Sequence, residues 1–345
     1  MSDAPLVSII IPVRNEEKFI AACLDSIIAN DYPQDKMEIL VMDGMSHDKT
    51  REIVSGYTKN YPFIKLLDNP KKITPCALNT GIKQAQGKII VRMDSHSTYD
   101  NHYLSNCLKY LYEYNADNVG GVWKIMAKEN TLVNKAIVFV SASIFGAGNA
   151  YYRRGYNKGP KWVDTVFGGC YRKEIFDKVG LFNENLERSQ DMEFNIRLRK
   201  AGGKILLVPE IVTYYYPKST LKEFLKHNFQ DGLWAVYPLK FIRQPLKLRH
   251  YAPFFLTTGF LLLSFLYFLS NFFIWLWLII SLAFLYLLLS LIFAGQMVIR
   301  EKDPRYFFLI PLVFIIRHFG YGFGSIVGLI KIALAKEPPG VQSVF

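Results

Sequence analysis

The sequence offers little support for disulfide bonds or for secretion. It contains four scattered cysteines without the spacing of a metal site, each among apolar neighbours, so nothing indicates an oxidising compartment. The first residues, MSDAPLVSIIIPVRNEE, have no basic segment, and the apolar run at residues 6–13 is too short for a signal peptide or a membrane span. We therefore predict that this run is a buried strand.

Charged side chains are missing from one long region near the carboxyl end. No Asp, Glu, Lys or Arg occurs at residues 251–299, which contain the apolar stretches 252–270 and 272–294. Each is close to the roughly 20 residues that a helix needs to cross the hydrocarbon core of a bilayer. Asn271, between them, indicates a tight turn. The sequence thus predicts a helical hairpin in a membrane.

A third apolar stretch, residues 307–335, is interrupted by Arg317 and His318. Two arrangements are compatible with it: a full span, or a re-entrant or kinked segment around Gly320. A full span would carry the last basic residues to the far side of the membrane, against the positive-inside bias. Because ionisable residues at membrane depth are costly, the pair either binds the phosphate of a lipid-linked molecule or marks a helix break at headgroup level.

The formal net charge is +12, and basic residues cluster beside the apolar stretches. The first cluster comprises Lys240, Arg243, Lys247 and Arg249, and the second comprises Arg300, Lys302 and Arg305. This distribution fits anionic lipid headgroups. We therefore expect membrane lipids as partners, and no nucleic acid.

Residues 6–209 alternate short β-branched runs with helical patterns, which is typical of an α/β fold with helices on both faces of a sheet. The predicted strands are VSIIIPV from Val7, EILVMD from Glu38, IKLLD from Ile64 and KIIVRMD from Lys88. Predicted helices follow a cap at Asn15 and begin near Ser46, at Thr74-Pro75, near Asp100 and near Ser189.

A predicted amphipathic helix separates the α/β part from the apolar stretches. Residues 219–237 place apolar side chains at helical spacing opposite charged ones, so this helix can lie in a membrane interface. We predict an α/β domain at residues 1–217, an interfacial helix and linker at 218–250, and a membrane domain at 251–345.

The tripeptide Asp94-Ser95-His96 follows the fourth predicted strand. Ligands bind such sheets beyond the carboxyl ends of the strands, and Asp43 lies at another of these ends. A carboxylate and an imidazole two residues apart can face one divalent cation, which would bridge and neutralise a diphosphate. A solvated loop is the alternative for Asp94 and His96.

Five blocks in order carry a resemblance to a known family: VSIIIPVRNEE, VMDGMSHDKT, TPCALNTGIKQAQGKIIVRMDSHS, FGGCYRKEIFDKVGLF and SQDMEFNIRLRKAG. Over about 200 residues the chain resembles glycosyltransferase family 2, and within it the membrane-anchored exopolysaccharide, or succinoglycan-type, branch. The resemblance implies a GT-A-like, Rossmann-type mixed sheet flanked by helices and followed by transmembrane helices. It also implies a transferase that uses a nucleotide-diphosphate sugar.

The resemblance assigns a donor site and a metal site. In this family the loop after the first strand holds the nucleoside, which corresponds here to Pro12, Arg14 and Glu16. Asp43 corresponds to the acidic residue that binds the base, and Asn79 to a donor-site residue. Asp94 and His96 fall on the family's metal motif, with His in place of the second carboxylate, so that Mn²⁺ is at least as plausible as Mg²⁺.

These donor assignments have alternatives. Asp43, together with Asp48, can cap the helix predicted near Ser46, and Asn79 can be a surface residue of its helix.

The resemblance also assigns a general base and acceptor contacts. Asp191 corresponds to the base that accepts the proton of the attacking hydroxyl, with Glu193 nearby, although a helix-start carboxylate favoured by the dipole is the alternative. Gly168 and Gly169 contact the acceptor sugar or let a strand pass close to another backbone. The acceptor-binding set thus comprises Gly168, Gly169, Glu193, Gln230 and Trp234, the last two with interfacial anchoring as their alternative.

One departure from the family pattern narrows the expected function. Processive members carry Q-x-x-R-W on the interfacial helix, but here Leu233 stands in place of the Arg. We therefore expect inverting, metal-dependent transfer of a single sugar to a lipid-linked saccharide in polysaccharide or glycan assembly, with a cytoplasmic catalytic domain on a multi-pass cell-membrane anchor. The alternatives are a polyprenyl-phosphate glycosyl synthase and a non-catalytic scaffold that binds nucleotide sugars.

Overall fold

The computed structural model describes residues 4–242 and 246–334. The chain forms two compact units, Met1–Ser219 and Thr220–Phe345. The domain boundary predicted after residue 217 lies two residues from this division. Arg243 of the first predicted basic cluster and residues 335–345 of the predicted membrane domain lie outside the described residues.

The first unit consists of strands and of helices shorter than 12 residues. The strands are β1 (Val7–Val13), β2 (Met37–Asp43), β3 (Ile64–Asp68), β4 (Ile89–Arg92), β5 (Ser97–Tyr99), β6 (Asn118–Ile125), β7 (Lys161–Trp162), β8 (Phe167–Arg172) and β9 (Ile205–Tyr215). The helices are α1 (Ile20–Ile28), α2 (Thr50–Asn60), α3 (Thr74–Gln84), α4 (Tyr103–Glu113), α5 (Leu132–Ala142), α6 (Ile144–Ala147), α7 (Glu174–Val179) and α8 (Gln190–Lys200).

Over the described residues these strands form one mixed sheet in the order β3-β2-β1-β4-β8-β6-β9-β5, with β7 paired to β9. The first four strands in this order are parallel. Strand β8 runs antiparallel between β4 and β6, and β6 is parallel to β9. The short strands β5 and β7 both pair antiparallel with β9. The four strands predicted from the sequence are confirmed, and they form the parallel half of the sheet.

Alternation along the strands divides the core between the two faces of the sheet. In β1, Ile9 and Ile11 are fully buried in one core, which they share with α1 and α4. Ile10 points to the opposite face and packs with α3, α7 and α8. Burying each such side chain contributes about 1.5–3 kcal/mol. Helices on both faces confirm the predicted three-layer arrangement.

The helix predicted from a cap at Asn15 starts later than expected. Asn15 adopts a left-handed conformation with φ 54°, and α1 begins only at Ile20. The peptide N–H of Glu16 donates instead to Thr50 Oγ1 at 2.8 Å. The helix predicted near Ser46 likewise begins at Thr50. Hydrogen bonds between the loops after β1 and β2 therefore hold residues 15–16 and 46–49 outside the helices that were predicted to begin there.

The second unit consists of α9 (Leu221–Val236), α10 (Leu248–Ser270), α11 (Phe273–Glu301) and α12 (Tyr306–Leu334). Within the described residues, α10, α11 and α12 are long and apolar enough to cross a membrane. Asn271, with φ 56°, forms the predicted turn between α10 and α11. The two predicted spans at 252–270 and 272–294 are extended by a few residues but keep their positions.

Helix α9, the predicted interfacial helix, packs along α12 within the same compact unit. The contact is close because three glycines of α12 face α9: Gly320, Gly324 and Gly328. On α9 a Cβ added to Gly232 would lie 1.9 Å from the carbonyl oxygen of Tyr321. Ser325 Oγ donates to the carbonyl oxygen of Gly232 at 3.2 Å. The two backbones therefore approach as small residues permit in membrane helix pairs.

Arg317 and His318 do not break α12, which continues from Tyr306 to Leu334. The helix break at Arg317 and His318 is therefore wrong, whereas a full span or a re-entrant or kinked arrangement in a membrane stays a prediction. Arg317 Nη1 donates to Asn228 Oδ1 on α9 at 3.4 Å, and His318 Nδ1 lies 2.9 Å from Tyr286 Oη on α11. Both side chains therefore have polar protein partners on neighbouring helices.

Replacing Gly232 by Ala tests this backbone contact. The added Cβ has no room against Tyr321, so the α9–α12 pair must separate, and we expect a loss of roughly 1–3 kcal/mol. The measurement is the apparent Tm of the full chain in detergent. Gly295→Ala on α11 is the matched control, because nothing lies within 4 Å of its added Cβ. Equal Tm values for the two variants would contradict the contact.

Candidate active site

The site lies beside β1, where the order in which successive strands are added to the sheet reverses. β1 pairs with β2 on one side and with β4 on the other, so that the chain moves outward along both sides of β1. The loops after β1, β2 and β4 consequently leave the same edge of the sheet. The crevice beyond carboxyl ends at such a reversal is the general ligand position of open α/β sheets.

The loops after β1 and β2 are tied together by side chains. Asn15 Oδ1 accepts from the peptide N–H of His47 at 3.0 Å, and Asp48 Oδ2 accepts from that of Glu17 at 3.1 Å. These bonds add to the one between Glu16 and Thr50. Together they make one continuous wall from two separate loops.

Two donor-site candidates belong to this wall. Pro12 is the half-buried residue of an otherwise buried β1. The exposed side chain of Arg14 lies over Gly44, where an added Cβ would meet it at 3.2–3.4 Å. The structure therefore brings Pro12 and Arg14 to the carboxyl ends of β1 and β2.

Asp43, at the end of β2, is fully buried. Its carboxylate accepts from the peptide N–H of Ser46 at 3.1 Å and from Arg51 Nη1 at 2.5 Å. Arg51 also donates to Asp68 at 2.8 Å, and these two bonds raise the pKa of Arg51. Arg51 was missed in the sequence, although acidic ends on two neighbouring strands are a signal for a bridging cation. Asp43 therefore orders a turn and an ion pair and does not cap α2.

Asp94, His96 and Glu16 form an acidic cluster with one imidazole. His96 Nδ1 lies 3.9 Å from Glu16 Oε1. Burial is the main cause that raises the pKa of Glu16, while His96 and Lys218 lower it and the negative charges of Asp94 and Asp48 raise it. Lys218 follows β9, near the last residue of the unit, and its positive charge acts on Glu16. It was not predicted from the sequence.

Arg92 forms an ion pair with Asp94 and is influenced by the charge of Asp191. Arg92 Nε donates to Asp94 Oδ1 at 3.1 Å, and both side chains are at most 14% exposed. Burial alone would lower the pKa of Arg92, but Asp94 and Asp191 raise it. Asp191 lies in the first turn of α8, and its charge also raises the pKa of Tyr171, for which burial is the main cause. The predicted metal ligand and the predicted base therefore share one buried cation.

Gly168 and Gly169 open β8 beside the end of β4. Their φ angles of 69° and 112° lie in the region that favours glycine. A Cβ added to Gly168 would lie 3.0 Å from the carbonyl oxygen of Arg92, and one added to Gly169 would lie 2.5 Å from the Tyr171 ring. Close passage of β8 past the end of β4 accounts for Gly168, and the ring of Tyr171 in the same strand accounts for Gly169. Contact with an acceptor stays a prediction.

Comparison with known proteins identifies the family. The model of "Glycosyl transferase family 2" matches residues 8–180. A relative from Methanococcus voltae is 32% identical over 335 residues, covering 94% of this chain and 97% of its own. The chain belongs to glycosyltransferase family 2. That relative is named a dolichyl N-acetyl-alpha-D-glucosaminyl phosphate 3-beta-D-2,3-diacetamido-2,3-dideoxy-beta-D-glucuronosyltransferase.

Two further similarities agree with this membership. The succinoglycan biosynthesis protein ExoA of Rhizobium meliloti (strain 1021) is 29% identical over 248 residues, or 67% of this chain and 74% of its own. The mannosyltransferase PcManGT from Pyrobaculum calidifontis, solved with GDP-Man and Mn²⁺, has a TM-score of 0.59 at 19% identity. That match covers 94% of this chain and 87% of the other. It confirms the GT-A-like fold predicted for this family 2 glycosyltransferase.

Two predicted site residues of the family 2 enzyme have protein partners in the structure. Asn79 is buried, and its amide donates to the carbonyl oxygen of Phe182 at 2.9 Å and accepts from its N–H at 2.9 Å. It is therefore not the surface residue given as the alternative. Glu193 is 2% exposed, and both of its oxygens bind Arg197. A donor contact for Asn79 and an acceptor contact for Glu193 stay predictions.

Gln230 and Trp234 belong to the second unit, on α9, where both are half-buried. The ring of Trp234 lies 5.0 Å from that of Tyr237. Leu233, which replaces the family's Arg, is 7% exposed, and its backbone faces Gly324. An acceptor contact for Gln230 and Trp234 stays a prediction.

Replacing Arg51 by Leu leaves the buried carboxylate of Asp43 without its cation. Breaking a fully buried pair costs about 3–5 kcal/mol, but Arg51 is 39% exposed and solvent screens it. We therefore expect a loss of about 1–3 kcal/mol, measured as a lower apparent Tm in detergent.

Lys65→Leu is the matched control for Arg51→Leu. Lys65 pairs with Glu38 at 3.0 Å on the same sheet, but Glu38 also accepts from Ser8 and from the N–H of Gln86. The expected loss is smaller for Lys65→Leu. An equal or larger loss would show that Asp43 does not depend on Arg51.

Proposed function

We propose that this glycosyltransferase transfers one sugar from a nucleotide-diphosphate sugar to a hydroxyl of a lipid-linked saccharide, with inversion at the anomeric carbon. The observation that carries the proposal is the pairing of Asp94 with the buried Arg92, whose pKa the negative charges of Asp94 and Asp191 raise. The relative from Methanococcus voltae, whose name contains a dolichyl sugar phosphate, supports a lipid-linked saccharide as acceptor.

The donor is proposed to lie along the wall formed by the loops after β1 and β2. Arg14, exposed above Gly44, faces ribose or phosphate oxygens as a cation. Asp43 supports this wall from below, because its carboxylate fixes the turn at Ser46. The base and ribose are thus recognised by a surface that exists before the donor arrives.

Asp94 and His96 are proposed to hold a divalent cation, Mn²⁺ or Mg²⁺, together with diphosphate oxygens of the donor. Within residues 4–242 and 246–334, no group of three His, Cys, Asp or Glu side chains is arranged for a metal ion. A pair of protein ligands completed by substrate phosphate is, however, a usual arrangement for Mg²⁺. Glu16, whose Oε1 lies 3.9 Å from His96 Nδ1, adds a further carboxylate to the same place, which fits a cation. Such a cation would supply charge neutralisation to the diphosphate.

Asp191 is proposed as the general base. The acceptor oxygen forms its bond to the anomeric carbon from the face opposite the diphosphate, and the bond from that carbon to the diphosphate oxygen breaks with its electron pair. The hydroxyl proton passes to a carboxylate oxygen of Asp191. Attack from the opposite face inverts the configuration, and Arg92 offsets the charge that Asp191 carries before it accepts the proton.

Transfer of a single sugar is supported by α9 and its partner. Leu233 takes the position of the Arg of processive relatives, and it is buried beside α12. A bulky cation there would face the close approach of α9 and α12. Three apolar helices supply an anchor, and nucleotide sugars are cytoplasmic molecules, so we propose a multi-pass membrane protein with its catalytic unit in the cytoplasm.

Asp191→Asn tests the base. We expect kcat to fall by about 10²–10⁴-fold because the amide accepts no proton, while the apparent Tm changes little. Turnover of nucleotide sugars in detergent, with and without chelator, is the measurement, and Asp94→Ala is expected to abolish the response to metal. Asp177→Asn is the matched control, because it lies in the first turn of α7 and is exposed. Sugar transfer by Asp191→Asn at the rate of the unaltered chain would show that Asp191 is not the general base.

The acceptor class is tested in vesicles of known sidedness. Radiolabelled nucleotide sugars are supplied with a prenol phosphate alone, or with a prenol-linked phosphosugar. We expect label only in the phosphosugar lipid, extended by one residue, and only when the donor is on the cytoplasmic face. Label in the bare prenol phosphate would indicate a polyprenyl-phosphate glycosyl synthase. Donor binding without transfer to either lipid would indicate a scaffold.

A further inference from the structure

Arg92 is a buried cation at the tip of the strand that leads into the active site. It is the last residue of β4, and its side chain is 10% exposed. The desolvation of an arginine costs several kcal/mol unless neighbouring groups compensate it. What Arg92 contacts therefore explains why it is tolerated there.

One side of the guanidinium holds Asp94. Nε donates to Oδ1 at 3.1 Å, and Nη2 donates to Oδ2 at 3.4 Å. A two-bond fork fixes the plane of a carboxylate, whereas a lysine would fix only its distance. The orientation of Asp94 is consequently set by Arg92.

The other side of the guanidinium is not satisfied by the protein. Nη1 is buried and has no hydrogen-bond partner among the described residues, while Asp191 acts on Arg92 through its charge without a direct bond. A buried donor left unpaired costs about 1–3 kcal/mol. Retention of this cost beside two acidic side chains is typical of a functional site.

The backbone of Arg92 is also fixed. Its carbonyl oxygen faces Gly168, where an added Cβ would lie only 3.0 Å away, and β4 is hydrogen-bonded on both sides, to β1 and to β8. The guanidinium thus extends from a rigid point of the sheet toward α8.

We infer that Arg92 is a positioning residue that orients Asp94 for the donor-bound cation. This inference rests on the proposed function, in which Asp94 binds the cation and Asp191 is the base. Removal of Arg92 leaves the carboxylate of Asp94 without the two hydrogen bonds that fix its plane. Cation binding then weakens, and sugar transfer that needs the cation slows with it.

The experiment uses the full chain in detergent and the variants Arg92→Met and Arg92→Lys. Binding of Mn²⁺ is followed by electron paramagnetic resonance in the presence of UDP or of GDP, and kcat and KM are measured separately. Loss of a residue that orients a metal ligand costs about 10–100-fold in metal affinity or activity. We expect that loss in both readouts for Arg92→Met, and a partial recovery in Arg92→Lys, which keeps the charge without the fork.

Arg172→Met is the matched control. Arg172 pairs with Ile89 at the opposite end of β4, and its Nη2 donates to the carbonyl oxygen of Leu111 at 3.3 Å. We expect Mn²⁺ binding and kcat of Arg172→Met to match the unaltered chain.

Two outcomes overturn the inference. One is wild-type Mn²⁺ binding and kcat in a folded Arg92→Met variant. If that variant does not fold, wild-type values in Arg92→Lys overturn it equally. The Mn²⁺ readout needs no acceptor, so an unaltered chain that binds Mn²⁺ with nucleotide but transfers no sugar contradicts the proposed function and leaves the role of Arg92 measurable.

Discussion

The parallel pairing of β1 with both β2 and β4 is the constraint on which the active site depends. Because the chain moves outward on both sides of β1, three loops leave one edge of the sheet side by side. Glu16 and Asp94, separated by 78 positions in the sequence, thereby influence one another electrostatically. The antiparallel strand β8 then closes against β4 and brings Gly168 to the carbonyl oxygen of Arg92. Without this strand order none of these groups would meet.

Much of the fold was predictable because its signals are local. The run VSIIIPV is β1 to the residue, and the turn at Asn271 lies where the apolar stretches divide. The start of α1 was not predictable in the same way. The N–H of Glu16 finds its acceptor on Thr50, 34 residues away, and such a long-range bond has no trace in the helical pattern. Local propensity predicts a helix cap at Asn15, whereas tertiary hydrogen bonds delay the start of α1 to Ile20.

The site was predictable in its residue types and less so in its partners. The resemblance to family 2 indicated Asp94, His96 and Asp191, but no pattern in the sequence assigned a role to the cations beside them, Arg92 and Lys218. Glu193 shows the opposite limit. It lies only two positions from Asp191, but its side chain is buried and pairs with Arg197, one helical turn further on. Proximity in sequence on a helix therefore says little about which carboxylate faces a substrate.

The ties between the loops after β1 and β2 have a kinetic consequence. Asn15, Glu16 and Glu17 are held by main-chain and side-chain bonds to residues 47–50, so this half of the pocket is stiff. Motion of this half therefore does not open a path for the nucleotide that leaves after turnover. Exchange of the nucleotide therefore depends on the parts of the pocket outside these two loops.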